Sequence, residues 1–294
     1  MSLASWQAAG KSFDFNGHPI FYREHGSGET ALVCVHGFPT ASWDWEPLWP
    51  ELCKRFAHVV APDMLGFGFS AKPRNHVYSL VEQMDLHAAL LAHLGVTRVH
   101  LLAHDYGVSV AQEWLARDLE QLPPDLLSVV LLNGGLFPET HRATSAQRLL
   151  KSPLGPLMSL LLNEQSFGRS FVHVFGSQTR PGLIELQDFW QLVAYNGGNR
   201  ISHKLIRYIK ERRLNRERWV GALQQTQVPL RLVNGPADPV SGAHMVERYR
   251  ELVPDADVVL LKGIGHYPQV EAPDRVLRAF NEFHDKLRTP WPEP

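Results

Sequence analysis

Six short runs of aliphatic and β-branched residues recur along the chain, at 31–35, 58–61, 99–103, 128–132, 230–233 and 258–261. Each is four or five residues long and apolar on both faces rather than alternating. A strand covered on both faces has this pattern, and strands covered on both faces belong to parallel sheets wrapped by helices. Helical patterns lie between the runs. Ser79 and Glu82 have the spacing of a capping box, and Leu80, Met84, Leu86, Leu90, Leu91 and Leu94 follow at helical intervals until Gly95. Further helices are expected from about Tyr106 toward Leu119, after Ser241, and from about Pro273 to Leu287. Ahead of the first run, Asn16-Gly17 sits between 12–15 and 20–23 and predicts a β-hairpin, because that dipeptide adopts the positive φ angles of a tight turn. Strand–helix alternation of this kind predicts a mostly parallel, doubly wound α/β sheet, eight-stranded once the hairpin is counted.

The alternation fails between Leu132 and Leu230. That stretch is helical in pieces (146–150, 183–195 and 201–213) and offers no convincing strand. A block of helices between two strands of an α/β core reads as a cap, giving a core of 1–135 and 228–294 with a helical cap of 136–227. Composition narrows the function classes. Lys plus Arg is 29 against 30 Asp plus Glu, which lacks the basic excess of a nucleic-acid binder. Two cysteines, Cys34 and Cys53, make no disulfide framework or zinc-finger spacing. The 15 histidines include no HExxH and no paired spacing with acids, so no metal and no cofactor are expected. The first ten residues carry neither a basic nor an apolar signal region, and a cytoplasmic protein is expected. A membrane-surface contact through 149–162 and the basic run 207–218 is the weaker alternative to a solvated helix face.

The residues able to do chemistry fall after strands. LLAHDYG, from Leu101, ends a strand in a small–x–acid–x–small turn and enters a helix at once, which is the nucleophile-elbow pattern with Asp105 in the serine's place. HGFP, from His36, follows the first core strand and can aim the Phe38 amide where the Tyr106 amide points, making a two-donor oxyanion hole. GPADP brings Asp238 to the end of the next-to-last run, and GIGHYP brings His266 to the end of the last. Nucleophile, acid, histidine is the chain order of the α/β-hydrolases. No G-x-S-x-G exists, and Ser109 lies inside the helix after the elbow. Glu139, after the preceding strand, is the fallback acid.

HGFPTASWDW, LGFGFSAKP, HDYG with VAQE, NGGLFPETHR, RWVGAL and HYPQVE together resemble the mesoderm-specific transcript hydrolase-like family, within the aspartate-nucleophile α/β-hydrolases that include epoxide hydrolases and haloalkane dehalogenases. The resemblance implies an α/β-hydrolase fold with Asp105 as nucleophile, His266 as base, Asp238 orienting the base, and the Phe38 and Tyr106 amides as oxyanion hole. Two departures stand out. Familiar dehalogenases hold halide with a Trp after the nucleophile and an Asn in the HGxP loop, where this chain has Tyr106 and Phe38. Epoxide hydrolases use cap tyrosines, near whose positions this chain has Val172 and Val220, so Tyr195, Tyr208 or His173 would substitute. Trp43, His173, Trp190, Tyr195 and Tyr208 are the substrate-binding candidates. The expected partners are an apolar small molecule and water. Epoxide hydrolysis is the first reading, with a halide- or ester-hydrolysing enzyme as alternative. A silent binding protein of the same fold is the rival from another class; its signature would be a lost triad residue, and all three are present.

Overall fold

The computed structural model describes residues 1–288; residues 289–294 of the expected second core part lie outside it. Eight strands form one sheet: β1 Lys11–Phe15, β2 His18–Gly26, β3 Thr30–Val35, β4 His58–Pro62, β5 Arg98–Ala103, β6 Asp125–Leu131, β7 Leu230–Asn234 and β8 Val258–Leu260. Their order is β1-β2-β4-β3-β5-β6-β7-β8. β1 and β2 are the expected hairpin, with Asn16 and Gly17 at φ 54° and 81°. β2 also runs antiparallel to β4, and every later pairing is parallel.

The two-faced apolar runs follow from this layering. In β3, Ala31, Val33 and Val35 pack into one core with the helices Leu80–His93 and Tyr106–Leu119. Leu32 and Cys34, pointing the other way, join a second core with the helices Trp49–Arg55 and Pro273–Arg288. Both faces are dry, so neither parity of the strand tolerates a polar residue. The helix Leu3–Ala8 is absent from the sequence reading, as is Trp49–Arg55. Each makes at most two turns, too few to show a period, yet Trp6 is fully buried, edge-on to Trp43 and Trp49.

The capping box at Ser79 is half formed. Ser79 Oγ accepts the Glu82 amide at 3.0 Å, but the Glu82 carboxylate turns to His76, 2.8 Å away. The Leu80 amide instead donates to Glu211, 2.9 Å from either carboxylate oxygen. A carboxylate at a helix N-terminus is favourable wherever in the chain it originates.

Between β6 and β7 the described chain holds helices and no strand. They are Ser145–Lys151, Gly155–Leu161, Glu164–Phe171, Leu183–Ala194, Ser202–Leu205, Tyr208–Leu214 and Arg216–Gln225, with short 3-10 turns between some of them. The expected helix over 201–213 is broken at Ile206–Arg207. The basic run is a solvated face in part: Arg207, Lys210 and Arg213 are exposed, whereas Arg216 pairs with Glu139, Arg218 pairs with Glu113 and Glu120, and Arg212 is buried. No helix among the described residues is long and apolar enough to cross a membrane.

Candidate active site

Four loops leave the C-terminal ends of β3, β5, β7 and β8, where an open α/β sheet leaves its crevice. Asp105 occupies the turn after β5, at φ 44° and ψ −101°. A non-glycine residue held there is strained, and packing must enforce it. The small neighbours are part of that enforcement. A Cβ on Gly107 would stand 2.5 Å from the Val35 carbonyl, and one on Gly37 would stand 2.9 Å from the Asp105 Cβ.

The carboxylate of Asp105 is buried and its two oxygens differ. Oδ2 accepts the Phe38 amide at 3.0 Å. Oδ1 has no hydrogen bond, and two cationic or ionisable groups stand just beyond reach: His266 Nε2 at 3.7 Å and Arg212 Nη2 at 3.8 Å. Oδ1 is therefore the oxygen whose lone pair is free to attack. The loop carrying the Phe38 amide is fixed by Tyr267, whose hydroxyl donates to the Phe38 carbonyl at 3.2 Å.

His266 Nδ1 meets Asp238 Oδ2 at 2.7 Å. The same oxygen accepts Ser241 Oγ at 2.6 Å and Asn133 Nδ2 at 3.0 Å, while Oδ1 accepts the Val240 amide at 2.7 Å. Burial opposes ionisation of Asp238, but the His266 charge and these donors outweigh it and hold its pKa at about 2. Burial likewise opposes a charge on His266, and the Asp238 and Asp105 carboxylates overcome it, pushing its pKa up to about 9. Glu139, the fallback acid, instead lies in the ion pairs with Arg216 and Arg248.

A cavity of about 420 Å³ reaches Phe38 and His266, and thus both flanks of the Asp105 carboxylate. Leu150, Leu162, Phe167, Phe171, Val174, Val193 and Val240 make it chiefly apolar, with polar points at Thr144, Gln147, Ser170 and His173. Of the five substrate-binding candidates, His173 lines it. Tyr208 does not, but its ring packs 5.1 Å from Tyr106 and 5.8 Å from Phe38. Trp43, Trp190 and Tyr195 do not line it either. Trp43 stands 5.7 Å from Trp6, Trp190 stands 5.7 Å from Phe167, and Tyr195 lies against Phe69 with Lys72 Nζ 5.1 Å from its ring.

Three residues of the site went unread in the sequence. Asn133 bridges the ends of β6 and β7 to reach Asp238. Glu271 accepts the amides of Gly265 and Tyr267, on either side of His266. Arg212, 2% exposed, donates from Nε to Ser109 Oγ at 2.6 Å and from Nη2 to the Asp105 carbonyl at 2.8 Å. Asn133 and Glu271 stand within the quoted NGGLFPETHR and HYPQVE blocks, whereas Arg212 is one of several arginines in a helical basic run with nothing to distinguish it.

Residues 32–279 match the model of the alpha/beta hydrolase family. The mesoderm-specific transcript protein of Mus musculus is 44% identical, over 96% of this chain and 88% of its own length. The putative hydrolase LipZ of Mycobacterium tuberculosis is 42% identical, over 92% of this chain and 94% of its own. The solved structure of the epoxide hydrolase CorEH superposes with a TM-score of 0.75 at 19% identity, covering 95% of this chain and 99% of that one, a likeness of fold.

Proposed function

This chain belongs to the alpha/beta hydrolase family, and within it to the relatives of the mesoderm-specific transcript proteins; from that premise we propose that it hydrolyses an apolar small molecule, an epoxide in the first instance, through a covalent ester on Asp105. The observation that carries this reading is the asymmetry of the Asp105 carboxylate. Oδ2 is held by the Phe38 amide and Oδ1 is unbonded, 3.7 Å from His266 Nε2. In this reading residues 136–227 are a cap over the site, supplying most of the apolar cavity wall.

Oδ1 attacks an electrophilic carbon, the carbon–oxygen bond of the substrate breaks, and its electron pair leaves with the substrate oxygen. The Phe38 amide then faces the ester carbonyl oxygen and stabilises the oxyanion that forms when water adds. His266 takes the proton of that water, with Asp238 holding the ring by its Nδ1–H. Charge drives the change of role at His266. Before attack two carboxylates face it and it holds a proton at neutral pH; once Asp105 is an ester one of them is gone, and the imidazole releases its proton and becomes a base. That proton passes to the alkoxide, and the proton later taken from water restores the imidazolium.

The test is a panel of alkyl epoxides, alkyl halides and short esters assayed with wild type and Asp105→Ala, followed by a single turnover in heavy-oxygen water with enzyme in excess. An aspartyl ester hydrolysed at its carbonyl leaves the label in the peptide carrying Asp105 and an almost unlabelled first product. With an alkyl halide, whose departure needs neither base nor proton, His266→Gln should accumulate the ester. Label found only in the product, with no adduct on His266→Gln, rules the mechanism out.

A further inference from the structure

A helix packed on a core turns its apolar residues inward, and the inserted helix Gly155–Leu161 does the reverse. Its buried residues are Gly155 and Ser159. Both are pinned: a Cβ on Gly155 would stand 2.1 Å from the Leu150 carbonyl, and Ser159 Oγ accepts the His203 amide at 3.0 Å. With that face held inward, Leu157, Leu160 and Leu161, and Leu154 just before them, are left 51–59% exposed. Leu149, on the helix Ser145–Lys151 packed alongside, joins them at 39%. Large apolar side chains gathered on one exposed face mark an interaction surface. The surrounding charge says what covers it. Residues 140–163 hold Arg142, Arg148 and Lys151 and no Asp or Glu. Arg148 and Lys151 are exposed on the same helix as Leu149. Arg213 stands close enough that its charge, after burial, lowers the Lys151 pKa. Arg216 and Arg218 pair with carboxylates, whereas among the described residues no carboxylate lies within 4.0 Å of Arg148, Lys151 or Arg213.

We propose that the helix pair Ser145–Lys151 and Gly155–Leu161 docks the protein on an anionic lipid bilayer, the leucines entering the acyl boundary while Arg148, Lys151 and Arg213 meet the phosphate-bearing headgroups. Both parts of the face then find their complement, apolar chains for the leucines and fixed negative charge for the cations. A second copy of the chain fits less well. A two-fold interface sets a patch against itself, and these cations would face their own kind. The protein lies on the bilayer and does not span it. The same two helices border the candidate active site: Ala146, Gln147 and Leu150, and Leu162 directly after the second helix, line the 420 Å³ cavity. Ser145, Ser170 and His173 are exposed members of that lining, so the cavity meets its surroundings beside the leucine face. Docking brings that cavity to the lipid surface. It needs no chemistry at Asp105 and stands apart from the aspartyl-ester reading.

The experiment is sedimentation of the full chain with vesicles of phosphatidylcholine alone and of equal parts phosphatidylcholine and phosphatidylglycerol. Wild type should sediment with the mixed vesicles, and more weakly at high salt, which screens the headgroup charge. The double variant Leu157→Ser, Leu160→Ser should lower the partition coefficient by about tenfold or more, because it removes apolar area from the acyl boundary. The double variant Arg148→Gln, Lys151→Gln should lower it on mixed vesicles by about fivefold per charge and leave binding to phosphatidylcholine alone as it was. Leu119→Ser removes a leucine 43% exposed at the far end of Tyr106–Leu119 from Asp105 and should bind as wild type does. Thermal melts check that each variant folds, and Leu160→Ser alone keeps the test open if the leucine pair does not. A wild type that stays in the supernatant with mixed vesicles, variants that bind as tightly as wild type, or an equal loss in Leu119→Ser would overturn the proposal. So would a lipid-free dimer, seen by analytical ultracentrifugation, that the leucine variant dissociates; the face would then belong to a second copy. Sedimentation reads no turnover, so a wild type that binds vesicles but forms no adduct on Asp105 fails the aspartyl-ester reading alone.

Discussion

Asp238 is the residue whose surroundings most narrowly define its charge. Its Oδ2 takes three donors and its Oδ1 a fourth, so an amide in its place must turn an N–H toward a donor. Asp238→Asn is therefore expected to fold but to present the wrong imidazole tautomer, and to lose turnover by roughly 10⁴, the cost of that change in a serine-protease triad. Stability carries the same signature. His266 is raised from 6.5 to about 9, so its contribution is complete below 6.5 and fades as pH rises through about 9. Asp238 is depressed from 3.8 to about 2, so its contribution is present above 3.8 and fades as pH falls through about 2. Thermal melts of wild type should lose stability between about pH 7 and 10 in a step that Asp238→Asn lacks; identical profiles would mean the pair carries no linked proton. Asp105, Asp238 and His266 were legible in the sequence because each directly follows a strand, where a short motif fixes the position. Arg212 was not, because nothing local separates it from its solvated neighbours.

Among the elements, the four-residue helix Pro268–Glu271 matters beyond its size. Its last residue collects the amides of Gly265 and Tyr267 at 2.9 Å each, and from the insertion the Gly176 amide at 2.8 Å and Thr179 Oγ1 at 2.5 Å. The His266 amide completes the join by donating to the Val174 carbonyl at 2.8 Å. One carboxylate thus sets the position of the His266 loop and ties it to the inserted helices. Glu271→Gln puts an NH₂ group among four donors and should cost about 2–4 kcal/mol, the scale of one or two charged hydrogen bonds. Breakdown of the proposed aspartyl ester, which needs His266 in register, should slow by about tenfold or more, while ester formation stays within a few-fold. A pre-steady-state trace showing both phases slowed alike would argue against this division. The core strands and long helices were readable because a buried strand or a four-turn helix repeats its period several times. The one- and two-turn helices were not, and neither was the share of the Leu80–His93 cap that Glu211 supplies from more than a hundred residues away, beside the Ser79 cap that was legible.

At the scale of the molecule, consecutive residues of one inserted helix hold two core helices by their N-terminal ends. Glu211 takes the first amides of Leu80–His93, and Arg212 takes the carbonyl at the start of Tyr106–Leu119. Glu271 makes the third fastening, from the core side, at Gly176 and Thr179. Apolar packing runs through the same boundary: Leu205, Ile206, Tyr208 and Ile209 lie in one core with Met84, Tyr106 and Val108. An insertion fastened by charged hydrogen bonds at three places and by a shared core does not swing as a free lid, and it should not melt alone. Two-state unfolding is therefore expected despite the interrupted chain order, with the far-ultraviolet and tryptophan signals of wild type changing together. Glu211→Gln tests the coupling locally. It weakens the acceptor for the Leu80 amide while leaving the apolar boundary in place, so native-state hydrogen exchange at Leu80 and Val81 should quicken by about tenfold, the equivalent of roughly 1.4 kcal/mol. Exchange in the middle of Leu80–His93 should follow the global stability. If the insertion unfolds at a lower temperature than the sheet in wild type, or if Glu211→Gln leaves those two amides as protected as before, core and insertion are separate cooperative units and the fastening has no energetic role.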